Sequence, residues 1–142
     1  MDRIREAYDE LYVYTLEHGG ASFILQHVVD AFGAQTASEN SKPIGVIFAL
    51  VGLYLHVEMQ FSGKQVQRVH MQMARQKRHW PAIALPQERG KITPVEVLAA
   101  PAGPGRDLAI DAWCQSVWAA FHDSRQAIVE LLQEQRIIPA SR

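Results

Sequence analysis

The segment that most restricts the fold is an apolar stretch over residues 44–55, which continues past His56 to Val57. A membrane-spanning helix needs about 20 apolar residues, and this stretch is too short and is interrupted by a histidine. A helix that is apolar around its whole circumference lies at the centre of a domain. The sequence therefore predicts a buried central helix over residues 43–60.

One line along this predicted helix consists of small residues. Gly45, Ala49 and Gly52 lead to His56 in steps of four, three and four, so all of them share one face. Glycine inside a helix costs about 1 kcal/mol relative to alanine. That cost indicates a close approach by another helix or by a ligand, and close helix packing is the simpler interpretation.

Periodic apolar residues and helix-start signals predict further helices around the central one. Capping boxes begin at Ser62 and at Thr93, the second with a proline in the first turn. Ser22 and Ser41 are also candidate caps. The predicted helices cover residues 2–18, 21–36, 43–60, about 63–78, about 94–100 and about 106–136.

Five of the seven prolines lie in residues 80–105, which predicts a long connection between the helices. Long ordered connections often cover functional sites. No part of the chain alternates like a strand hairpin. We therefore predict a single all-α domain over residues 1–142. It is a four-helix bundle in which a proline-rich connection with a short helix precedes the last helix.

Composition excludes several classes of protein. The chain has 142 residues, 48% of them hydrophobic and 20% charged, and this length can bury a sizeable core. The formal net charge of −1 excludes a generally basic polyanion binder. The single cysteine, Cys114, excludes a disulfide framework and a cysteine-based zinc site within one chain.

A basic stretch runs from Lys64 to Arg78, with Trp80 beside it. Cations next to an aromatic residue suit single-stranded nucleic acid. The balanced charge and the lack of a nucleic-acid motif favour a solvated helix face instead, so we expect no nucleic-acid partner. The charged first residues do not form a secretory signal, and with one thiol we expect a cytoplasmic protein without a membrane partner.

Histidine spacing is the main indication of chemistry. His27 and Asp30 are three apart on one helix, which is a metal-ligand spacing used inside helical bundles. If the helices at 21–36, 43–60 and 63–78 are antiparallel neighbours, His56 lies within about 4.5 Å of the level of His27 along the axis. By the same argument His70 lies near the level of His56.

We therefore predict that His27, Asp30, His56 and His70 hold a divalent metal ion, with His122 as a candidate fifth ligand. Imidazoles and a carboxylate suit Zn, Ni or Fe. The segment 80–105 would cover such a site, and an open coordination position would allow catalysis. The alternative is that each histidine is a half-buried residue hydrogen-bonded to a carbonyl or a carboxylate, without a metal.

A second hypothesis is a binding or homodimerisation module without catalysis. Its pocket or interface would be lined by the tryptophans Trp80, Trp113 and Trp118, and it could hold a small molecule or a second copy of the chain. The sequence leaves open whether any reaction is catalysed.

Several short motifs lie along the chain between about residues 20 and 125. They comprise His27, Val29-Asp30-Ala31-Phe32, Gln35, Trp80-Pro81, Pro86, Gly90, Ile92-Thr93-Pro94, Glu96-Val97, Trp113 and Val117-Trp118. Together these motifs resemble a family of small bacterial proteins of unknown function, which shares a His-x-x-Val-Asp-Ala-Tyr-x-x-Gln-His segment and a Trp-Pro loop.

The chain departs from that pattern at three points. Thr36 replaces the histidine after the glutamine, Phe32 replaces the tyrosine, and an N-terminal cysteine pair is missing. A site that used those groups would be incomplete here. The resemblance implies no reaction, but it groups Gln35 and the Trp80-Pro81 loop with His27 and Asp30 as residues of one candidate site. We expect Gln35, Trp80 and Trp118 to lie in the pocket or to support the ligands.

Overall fold

The computed structural model describes residues 2–18 and 20–140. These residues form helices and no strand, which confirms the all-α class. The α-helices are α1 (Asp2–His18), α2 (Leu25–Gln35), α3 (Pro43–Met59), α4 (Gly63–Ala74), α5 (Pro94–Ala99), α6 (Pro104–Ala120) and α7 (Arg125–Glu134), and 3-10 turns occupy Gly20–Ser22 and His122–Ser124.

The helix α3 lies at the centre, as its apolar sequence predicts. Every residue from 49 to 55 is buried, and the helix packs against α2, α4, α6 and α7. The helix α1 packs on α2 and α5, outside this centre. The middle of the molecule is therefore the group α2, α3 and α6.

Within the described ranges, the helices are too short or too polar to cross a membrane.

The start of α2 differs from the sequence prediction. The helix begins at Leu25 rather than at residue 21, and Ile24 occupies the cap position without a side-chain hydrogen bond, so the predicted cap Ser22 is wrong. Phe23 has a left-handed backbone with φ of 56°, which interrupts the helical path. Its carbonyl lies against Gly63, where any Cβ atom would overlap with it.

The two predicted capping boxes are confirmed. Ser62 and Gln65 bond each other's backbone N–H groups at the start of α4, and Thr93 and Glu96 do the same at α5. The cap of α3 is Lys42, which makes no side-chain bond, so Ser41 is not the cap. Pro94 occupies the first turn of α5 as expected.

The last predicted helix is two helices. Residues 121–124 interrupt it, so α6 ends at Ala120 and α7 begins at Arg125. Short polar side chains at 122–124 compete with helical hydrogen bonding. A bidentate pair from Arg125 to the Glu58 carboxylate on α3 fixes where α7 starts, with N–O distances of 2.6 and 2.8 Å.

The connection between α4 and α5 is longer than predicted, because α4 ends at Ala74 instead of residue 78. Two side chains fasten it to the C-terminal end of α2. Gln35 donates to the carbonyl oxygens of Ile92 (2.7 Å) and Arg89 (3.3 Å). The Arg89 guanidinium donates in return to the carbonyl oxygens of Gln35 and Ala37. The connection is therefore an ordered part of the fold.

Candidate functional site

The faces of α2 and α3 meet through small residues. Gly33 lies against Ala49, Asp30 lies against Gly52, and the His27 ring lies on the His56 ring. Later residues of α2 meet earlier residues of α3, so these two helices are antiparallel neighbours, as the sequence-based placement of His27 and His56 requires. A side chain on Gly52 would overlap with the Asp30 carboxyl group. Close packing thus explains this glycine.

Two histidines form the centre of the site. The rings of His27 and His56 are stacked, with centroids 3.5 Å apart and planes tilted by 16°. The structure therefore places His27 and His56 at one level along the helices, as the sequence predicts.

The His56 ring is held from both of its nitrogens. Its Nδ1 bonds the Phe61 carbonyl oxygen at 3.2 Å, and its Nε2 bonds Oδ1 of Asp111 at 3.0 Å. Both partners accept hydrogen bonds, so only a doubly protonated ring would donate to both of them at once. The two contacts fix the ring in place, and Asp111 would balance the charge of the protonated form.

These residues line a cavity of about 410 Å³ between α2, α3 and α6, which we call the histidine pocket. Its lining combines apolar side chains with hydroxyl, amide, imidazole and carboxylate groups. The lining residues are Ser22, Ile24, His27, His56, Val57, Gln60, Phe61, Ser62, Asp107, Asp111 and Gln115.

His27 is a buried neutral imidazole. Only 5% of the residue is exposed, and burial, followed by the neighbouring His56, lowers its pKa to about 3. Its Nδ1 is buried, and no partner for it exists among the described residues. An unpaired buried nitrogen costs about 1–3 kcal/mol, which a ligand in the pocket could offset.

Asp30, the predicted carboxylate ligand, lies outside the pocket lining. The residue is buried, and desolvation raises the pKa of its carboxyl well above the usual value. Its Oδ1 accepts a hydrogen bond from Gln26 at 3.1 Å, and its Oδ2 packs against Gly52. A buried carboxyl with a raised pKa is a poor metal ligand, because metal binding requires its ionised form.

His70 also lies in a different environment from the stacked pair. Its Nε2 donates to the Phe48 carbonyl oxygen at 2.7 Å, two turns of α3 before His56. Its Nδ1 accepts from Gln26 at 3.5 Å, and burial lowers its pKa. The structure thus does not bring the predicted ligands together, and the described chain contains no group of three suitable side chains placed to hold a metal.

The candidate fifth ligand lies at the far end of α6. His122 is exposed on the turn after that helix, where it bonds the Ala119 carbonyl oxygen and pairs with Asp123. It is eleven residues from Asp111, or about 16 Å along a helix axis. His122 therefore takes no part in the pocket.

Tryptophans do not line the histidine pocket. Trp113 is fully buried, and its Nε1 donates to the Gln35 side chain at 2.9 Å. Trp118 is 6% exposed and donates to Glu58 at 2.7 Å. Trp80 packs edge-on against Phe48. Trp113 and Trp118 are therefore anchors within the chain's own core, whereas Trp80 is half-buried at its edge.

The residue that sequence reasoning missed is Asp111. On α6 it follows Asp107 and precedes Gln115 at intervals of four, so the three form a polar line on one helix face. That line, beside a strongly apolar stripe, was the available signal. Whether this polar line belongs to a site depends on which helices it faces, and long-range packing determines those neighbours.

Gln35 supports the fold rather than the pocket, and a substitution can test this. Gln35→Leu leaves the Trp113 N–H and the Ile92 carbonyl without partners, and we expect it to lower the free energy of unfolding by about 2–4 kcal/mol. Urea denaturation measures this change. Gln126→Leu is the control, since Gln126 is exposed and bonds only Glu130. Equal stability of both variants would contradict the assignment.

Comparison with known proteins places the chain in a family. No curated protein and no solved structure matches it significantly. A family model described as a family of unknown function (DUF5946) matches residues 5–122, which includes all of the pocket residues. The chain therefore belongs to the DUF5946 family of unknown function.

Proposed function

We propose that the chain binds a small polar organic molecule in the histidine pocket and that His27 accepts a hydrogen bond from it. The observation that carries the proposal is His27, whose ring lines the pocket although the residue is 95% buried and has an unpaired nitrogen. Most buried polar groups in folded proteins have a hydrogen-bond partner, so an unpaired nitrogen beside a pocket is consistent with a bound ligand.

The size and lining of the pocket support binding of a small molecule. Ligand pockets have volumes of about 300–1,000 Å³ and combine apolar walls with a few polar groups. The histidine pocket, at about 410 Å³, has an apolar side at Ile24, Val57 and Phe61 and a polar side on α6. A molecule with one apolar part and one polar part fits this division.

The arrangement of the two rings supports hydrogen bonding to the ligand. A group with a pKa near 3 is a weak base at neutral pH, so His27 accepts a hydrogen bond rather than a proton. His27 stacks on a ring that Asp111 orients.

The test is a screen of small polar fragments by ligand-observed NMR at neutral pH. We expect bound fragments to shift the side-chain resonances of His27 and His56 and to lose binding in His27→Phe. This variant keeps a flat ring on His56 but removes both nitrogens. His122→Phe is the matched control at an exposed position. Fragments that bind only elsewhere, or bind His27→Phe equally well, would refute the proposal.

A divalent metal ion, Zn, Ni or Fe, is the second candidate, with His27, His56 and Asp111 as ligands in place of the predicted set. Two imidazoles and a carboxylate are ligand types that these ions bind. The three side chains are neighbours, although the described residues do not place them as a ready-made metal site. The hydrogen bond between His56 and Asp111 would have to break and the stacked rings would have to separate so that the ligand atoms come within about 2.1 Å of one ion.

Elemental analysis and melting curves distinguish this candidate from the first. Under it, protein purified without a tag contains near-stoichiometric metal, and added Zn or Ni raises the melting temperature. His56→Ala loses that rise, whereas His70→Ala keeps it, because His70 bonds the Phe48 carbonyl instead. A metal-free protein whose melting temperature Zn and Ni leave unchanged excludes metal binding.

A further inference from the structure

The charges of the pocket lining distinguish between classes of ligand. Two carboxylates, Asp107 and Asp111, lie one turn apart on α6, so their Cβ atoms are about 5–6 Å apart. No lysine or arginine contributes to the lining in the described ranges. An anionic ligand would therefore meet like charge without a cation to balance it.

The two carboxylates differ in their partners. Asp111 pairs with His56, whose ring balances one negative charge when it is doubly protonated. For Asp107, the described parts of the chain offer no ion pair. The histidine pocket thus has at least one carboxylate in excess, on the wall that faces His27 and His56.

A second observation is independent of these acids. His27 lines the same cavity, its ring has a buried nitrogen without a partner among the described residues, and a neutral imidazole can accept a hydrogen bond. An ammonium group has three N–H donors and no acceptor. The two carboxylates and the imidazole are acceptors that would together satisfy such a group.

We propose that the ligand of the histidine pocket is a small organic amine in its cationic form, bound through its ammonium group by Asp107, Asp111 and His27. Its apolar part lies against Ile24, Val57 and Phe61. This inference rests on the proposed function and names the class of molecule that the pocket takes.

The test compares molecules that share a carbon skeleton and differ in charge. Benzylamine, benzyl alcohol and benzoate form one series, and butylamine, butanol and butyrate form the second. Titration followed by protein NMR at pH 7.5 measures each dissociation constant. We expect each amine to bind at least about tenfold more tightly than its alcohol, and the carboxylates to bind more weakly than the alcohols.

Substitutions assign the preference to the pocket. Asp107→Asn removes the excess charge with little change in shape, and we expect it to reduce the preference for the amine to less than about threefold. Asp123→Asn makes the same change of charge on an exposed residue outside the lining, and it should keep the full preference.

The possible outcomes separate this inference from the proposed function. Alcohols that bind in the pocket as tightly as the amines overturn this inference and leave the proposed function intact. An amine preference that survives Asp107→Asn also overturns it. If no member of either series shifts the pocket resonances, the inference and the proposed function both fail.

Discussion

Acidification from pH 6.5 towards pH 3 should destabilise the chain, and His27→Phe should remove a large part of this dependence. Burial holds the pKa of His27 near 3, against 6.5 for an unperturbed histidine. Below pH 6.5 the unfolded chain takes up a proton that the folded chain refuses, so the stability falls as the pH falls. The full loss is at most about 5 kcal/mol for this one group.

Other titrating groups also make the folding stability depend on pH. The contribution of His27 is therefore obtained from the difference between the variant and the wild type. Burial also lowers the pKa of His70, which adds to the loss at acid pH. Asp30 acts in the opposite direction. Its raised pKa means that its contribution is fully present below pH 3.8 and diminishes as the pH rises above that value.

Urea denaturation at several pH values between 7 and 4 measures this effect. The difference in stability between His27→Phe and the wild type should grow in favour of the variant as the pH falls, by up to about 1.4 kcal/mol per pH unit. His122→Phe, at an exposed histidine, should follow the wild type. Parallel curves for His27→Phe and the wild type would show that the folded chain protonates His27 as readily as the unfolded chain does.

Gly52→Ala is expected to destabilise the chain although alanine favours helices by about 1 kcal/mol. The new methyl group would overlap with the Asp30 carboxyl, which Gln26 holds in place between two packed helices. Overpacking of this kind costs about 1–3 kcal/mol, and the short Asp30 side chain has little room to move. Thermal and urea unfolding measure the net loss.

Two further variants make this prediction specific. Gly45→Ala on the same helix meets no atom within 4 Å, so it should stabilise the chain slightly. Asp30→Ala removes the clashing group, so the double variant with Gly52→Ala should recover most of the loss. A Gly52→Ala variant as stable as the wild type would mean that α2 and α3 can move apart at low cost.

The features that the sequence predicted correctly depend on local information. The capping boxes at Ser62 and Thr93 are satisfied within four residues. The meeting of His27 and His56 depends only on a short turn between two antiparallel helices. The central position of α3 follows from its apolar composition, which no other environment could accommodate.

The features that were missed depend on how helices rotate and on which distant helix they face. The spacing of residues predicts the level of His70 along α4 but not the rotation of α4 about its axis. That rotation directs the His70 ring to the Phe48 carbonyl. Asp111 enters the site because α6 packs across α2 and α3, more than fifty residues from His56 in sequence. The break before Arg125 depends on the distant Glu58.

The fastening of the proline-rich connection has a consequence for the kinetics of ligand exchange. Gln35 and Arg89 hold this segment at the end of α2 that lies opposite His27, about 12 Å along the helix. None of the described lining residues of the histidine pocket comes from the segment 80–105, so the expected cover over the site is not formed by it. A ligand can therefore enter and leave without any opening of that segment, and its association rate should rise linearly with ligand concentration, as in a simple encounter.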